Sequence, residues 1–89
     1  MLDTLQHVGY TYNMSNTPLF DFRAFLDANW RSSGHVVEFL GAYGLPERTA
    51  NVLKWRERKS IPAQRFAVLV ALQEIDRGTP ISLAPYITQ

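Results

Sequence analysis

The chain has no cysteine, no long apolar run and almost no net charge, and each absence removes a class of protein. Without cysteine there is no disulfide framework and no thiolate set for zinc. Without an apolar stretch of about 20 residues no membrane-spanning helix is expected. The first residues have no basic region leading into an apolar run and a small-residue cleavage site, so export is not indicated and a cytoplasmic protein is the simplest expectation. A net charge of +1 does not by itself point to nucleic acid, so only the distribution of charge can carry that inference.

Groups that do chemistry are equally sparse. The two histidines, His7 and His35, lie in different segments with no cysteine or paired carboxylate at ligand spacing, so no metal site is expected, and His35 reads as a surface or capping residue. Asp21 and Asp27 do not share a helical face, and Glu74 and Asp76 are neighbours at a helix end, so no acid/base pair is implied. No serine stands in a nucleophile elbow. The expectation is a protein that is not an enzyme, with no cofactor and no small-molecule substrate.

What is present is a pattern of helices. The 89 residues suffice for one small domain. Residues 1–16 read as a flexible arm or leader, in which Val8-Gly9-Tyr10-Thr11-Tyr12 alternates as a short strand would and Met14-Ser15-Asn16 resembles a translation start. The domain proper is expected over residues 17–89. Thr17 and Pro18 suit a helix start, and Leu19, Phe22, Phe25, Leu26 and Trp30 recur at helical spacing, which predicts a first helix over Pro18–Arg31 with core aromatics. Ser32-Ser33-Gly34 offers a new cap, and Val36, Val37, Leu40 and Tyr43 then share a face until the glycines of Gly41-Ala42-Tyr43-Gly44 supply a positive-φ turn. A third helix is predicted over 46–59. A fourth starts at Pro62 and closes at Gly78; it is apolar nearly all round and needs cover on several sides, with any surplus face available to a second subunit. The tail from Ile81 to Ile87 is too apolar for a free linker and is expected to pack back on the domain or across a dimer interface. With no confident strand, the fold class is all-α: a small orthogonal bundle of four to five helices containing a helix-turn-helix.

The third helix holds the charge. Between Glu47 and Arg65 six basic residues face two acidic ones, a local net +4, whereas residues 1–46 sum to −2 and residues 66–89 to −1. At about 100° per residue, Thr49, Val52 and Leu53 fall on one side of the helix and Glu47, Asn51, Lys54 and Arg58 on the other. A stripe of this kind is ordinarily a solvated face. Here the concentration of cations, with Arg, Asn and Lys side chains that pair with guanine and adenine edges, matches a recognition helix in a major groove. The second helix, a glycine-bearing turn and this helix make a helix-turn-helix, whose core would take Val36 or Val37, Leu40, Tyr43, Val52 and Trp55. A second register stays open, in which Gly44 takes the turn position, Ala50 and Leu53 go inward and Trp55 moves outward.

The run Val52-Leu53-Lys54-Trp55-Arg56-Glu57-Arg58-Lys59-Ser60-Ile61-Pro62 resembles the end of the recognition helix in Cro/CI-type, lambda-repressor-like regulators, especially small phage and prophage domains with V-x-x-W-x5-I-P. The match spans about eleven residues, and the helix order extends it over residues 18 to 78. In the first register the turn Gly41–Leu45 is about two residues longer than the family's, and Glu47 stands where an apolar residue is usual. The resemblance implies a sequence-specific transcription regulator, a repressor by family habit, bound as a homodimer to double-stranded DNA with half-sites about one helical turn apart. It assigns base reading to Arg48, Asn51, Lys54 and Arg58, and DNA backbone contact to Thr49, Arg56, Lys59 and Arg65. The competing class is a protein-interaction module on the same fold, such as an antitoxin, an antirepressor or a phage inhibitor of a host protein. Low net charge, Glu47 and Glu57 on the helix, and the apolar tail favour it.

Overall fold

The computed structural model describes residues 19–88, so the arm expected over 1–16 and the Thr17–Pro18 cap lie outside it. Within that range the chain is a small all-α bundle in the order β1 (Leu19–Phe20), α1 (Phe22–Asn29), α2 (Ser33–Ala42), α3 (Thr49–Arg58), α4 (Ala63–Arg77), a 3₁₀ turn (Ala84–Tyr86) and β2 (Ile87–Thr88).

The first helix is shorter than its apolar spacing predicts. Asp21 caps it by accepting from the Ala24 N–H at 2.9 Å, while Leu19 and Phe20 are extended and pair antiparallel with Thr88 and Ile87. The tail overrides helical propensity here: it supplies the partner strand, the Asp21 N–H donates to the Tyr86 carbonyl at 2.6 Å, and the Phe20 ring meets Phe22, Phe25, Phe66 and Tyr86 edge-on or tilted. The apolar tail therefore packs on its own domain, and the bundle gains a two-residue ladder that alternation does not reveal.

α2 begins as expected. Ser32 Oγ accepts from the His35 N–H at 3.1 Å, and His35 Nδ1 accepts in return from the Arg31 N–H at 3.0 Å, a reciprocal cap with histidine in the usual place of glutamate. It ends where Gly44 turns left-handed (φ 78°) and the Leu45 N–H returns to the Leu40 carbonyl at 3.0 Å. Tyr43, expected in the core, is 39% exposed, because the helix has ended at this position and its ring rests on Phe39 with centroids 5.4 Å apart.

α3 starts three residues after Pro46, because Glu47 turns its carboxylate back onto the Arg48 N–H at 3.2 Å and Arg48, in extended conformation, becomes the cap. It ends with the same return bond as α2, from the Ser60 N–H to the Trp55 carbonyl at 3.0 Å, but the left-handed position is held by Lys59 (φ 55°). A left-handed non-glycine residue costs about 1–2 kcal/mol, and glycine gives back about 0.5–1 in the unfolded chain. Lys59→Gly is accordingly expected to raise the unfolding free energy by about 0.5–1 kcal/mol, read as a higher denaturant midpoint at unchanged slope.

Phe25, Leu26, Trp30, Val36, Leu40, Val52, Trp55, Ile61 and Leu69 make the core. α4 joins it through Leu69 and half-buried Phe66, and through a polar relay in which Gln73 Nε2 donates to Asn29 Oδ1 at 3.3 Å while Asn29 Nδ2 donates to the Phe25 carbonyl at 2.9 Å. α4 is covered less than its composition predicts. Leu69 and Gln73 are its only buried residues, and Ile75 is 67% exposed. Among the described residues no helix is long and apolar enough to cross a membrane.

Candidate nucleic-acid interface

Val52 and Trp55 fix which side of α3 faces inward. Both are buried, whereas Ala50 is exposed and Leu53 is 50% exposed, so the register that places Val52 and Trp55 in the core is the observed one. The inward direction lies midway between those two residues, and this corrects the helical wheel drawn from the sequence. Leu53 and Thr49 are not on the buried side. Trp55, ignored in that wheel, rotates the axis of burial, so that Ala50, Leu53, Lys54 and Glu57 form the outermost ridge while Asn51 and Arg58 flank it on the side of α4.

The expected site residues divide into two sets. Arg48, Thr49, Lys54, Arg58 and Lys59 are exposed, and none of their cationic groups is in an ion pair among the described residues. Asn51, Arg56 and Arg65 are engaged within the protein. Arg56 directs both Nε and a terminal guanidinium nitrogen to Asp27 Oδ1 at 3.0 Å, pinning α3 to α1. Arg65 Nε lies 3.2 Å from Glu47 Oε1, and Asn51 Nδ2 donates to Glu47 Oε2 at 2.8 Å.

Glu47 thus gathers three donors on one carboxylate, and its side chain is only 8% exposed. This explains how a charged residue is buried here: burial is tolerated because the charge is paired and hydrogen-bonded. The spacing of Glu47 and Asn51, four apart, was readable in the sequence. The contribution of Arg65 was not, since it arrives from the first turn of the next helix.

Lys54, Arg58, Asn51 and Ser60 border one depression of about 360 Å³ between α3 and the start of α4. It continues past Asn51 and Trp55 into a larger open groove of about 720 Å³ that reaches Glu47, Arg65 and Val68. The structure therefore brings Asn51, Lys54 and Arg58 to one rim, with Arg48 and Thr49 at one end of the helix and Lys59 at the other. Sequence reasoning missed Ala50 and Leu53 as outward-facing residues; they stand on the outer ridge as apolar tips beside Lys54 and Glu57. Comparison with protein families, with characterised proteins and with solved structures finds no match, so the interface is interpreted from its own geometry.

Proposed function

We propose that the protein is a sequence-specific DNA-binding regulator of the helix-turn-helix kind, with α3 as the element that enters the major groove. The observation that carries this reading is the outward side of α3: Arg48, Lys54, Arg58 and Lys59 are exposed and without ion-pair partners among the described residues, on a helix held from behind by Val52 and Trp55. Cations on a helix joined to a supporting helix by the short link of residues 43–48 suit groove insertion.

Lys54 and Arg58 on the rim, with Arg48 at the helix start, are the side chains for guanine edges, and Asn51 retains an N–H and Oδ1 for an adenine. Leu53 and Ala50 add apolar tips of the kind that contact thymine methyl groups. Thr49 and Lys59 lie at opposite ends of the helix, where the phosphate backbone runs, and α4 begins at Ala63, shortly after Lys59. Lys59 holds its left-handed conformation at a cost, which a phosphate contact would justify. A two-fold site would require a second copy, for which α4 offers its bare flank around Ile75.

The interaction-module reading draws on the half-exposed Leu53 and on the neutralisation of Arg56 and Arg65 by Asp27 and Glu47. Selection of bound duplexes from a random library discriminates the two. Enrichment of a two-fold motif is the expected result. A library that returns no enriched sequence, with the protein flowing through a DNA column at low salt, would leave the interaction module.

A further inference from the structure

Glu47 does more than satisfy its own burial. Its carboxylate takes the Arg65 guanidinium at 3.2 Å and an Asn51 amide N–H at 2.8 Å; Asn51 also borders the depression lined by Lys54 and Arg58, and Arg65 borders the larger groove next to it, so both would otherwise be open to a nucleic acid. We infer that Glu47 sets the strength of backbone contact: it is an internal anion that withholds Arg65 and one Asn51 donor from DNA phosphates and so confines cationic contact to the outer side of α3. The inference rests on the DNA-binding reading.

The electrostatic argument is direct. Affinity for any duplex, irrespective of sequence, comes from counterions released as protein cations neutralise phosphates. A guanidinium already paired with a carboxylate on its own chain brings no net charge to the backbone, and a phosphate approaching it meets the carboxylate as well. Arg65 is therefore silent toward random DNA while Glu47 is ionised. Random and selected duplexes lose this backbone contact alike, so Glu47 lowers the sequence-independent part of the affinity and leaves the base-facing Lys54 and Arg58 untouched.

The test uses the full chain and a labelled random-sequence duplex, with affinity followed by anisotropy between about 50 and 200 mM salt. Glu47→Gln keeps the shape and an acceptor for Asn51 and Arg48 but removes the charge. It is expected to bind the random duplex about tenfold more tightly at the low-salt end, with the slope of log affinity against log salt steeper by about 0.9 per protomer. The double variant Glu47→Gln/Arg65→Gln restores neutrality and should bind within about twofold of the wild type. It carries the test if the single variant does not fold. A wild type that binds while Glu47→Gln shows the same affinity and slope would overturn the inference and leave the DNA reading intact. A double variant about tenfold weaker than the wild type would also overturn it, since Arg65 would then already be contacting phosphate. A wild type that binds no duplex at all would remove both together.

Discussion

Phe25→Ala is expected to lower the unfolding free energy by about 4–5 kcal/mol, the largest loss from any single side chain in this fold. Phe25 is completely buried, and its ring meets Phe20, Trp30, Phe66 and Tyr86 with centroids 5.2 to 5.9 Å apart, so its removal opens a cavity at the junction of α1, α4 and the tail. Those neighbours are aromatic and hold one another edge-on, which limits how far the site can collapse. A domain of this size has a total stability of about 4–13 kcal/mol, so the variant should lose between about a third and all of it. Circular dichroism with a urea titration reads this directly. Trp55→Ala should cost nearer 3 kcal/mol, because Trp55 is 9% exposed at the floor of the groove and solvent can occupy part of the space it leaves. A Phe25→Ala protein that unfolds as cooperatively as the wild type, at the same midpoint, would show that the aromatic junction does not hold the bundle together.

The second large effect concerns the ridge of α3. Lys54→Ala and Arg58→Ala are each expected to reduce discrimination between a selected duplex and a random one by about 1–3 kcal/mol, with no change in melting temperature. Both side chains are exposed, in no ion pair among the described residues, and on one rim, so their removal costs the fold nothing. They lie one turn apart, and the double variant should lose less than the two single losses added together. Lys59→Ala, at the helix end, should weaken binding to both duplexes equally and flatten the salt dependence. Equal losses from all three positions on both duplexes would show that α3 grips the backbone without reading bases.

The helix order, the caps at Ser32 and Gly78, the turn at Gly44 and the burial of Val52 and Trp55 were legible because each depends on neighbours within a turn or two of helix. Leu19 and Phe20 were misread as helical since their conformation is set by pairing with Ile87 and Thr88, more than sixty residues away in the chain. The cationic content of α3 was legible as a count of charges but not as a set of available groups. Arg56 is taken by Asp27 from another helix and Arg65 by Glu47 across a helix boundary, and neither pairing leaves a periodic trace. The error over Leu53 has a simpler origin. A wheel centred on Thr49, Val52 and Leu53 points to one side of Val52, whereas Trp55 lies on the other, so its weight turns the buried direction by nearly a right angle.

The claim that α3 is a DNA-reading helix is tested most directly by the salt dependence of duplex affinity. On a random duplex, where no matched base engages them, Arg48, Lys54, Arg58 and Lys59 are four unpaired cations per protomer free to meet phosphates, so a dimer neutralising about eight should show log affinity falling against log salt with a slope near −7. A slope near zero, or no binding to duplex DNA at about 50 mM salt, would contradict it.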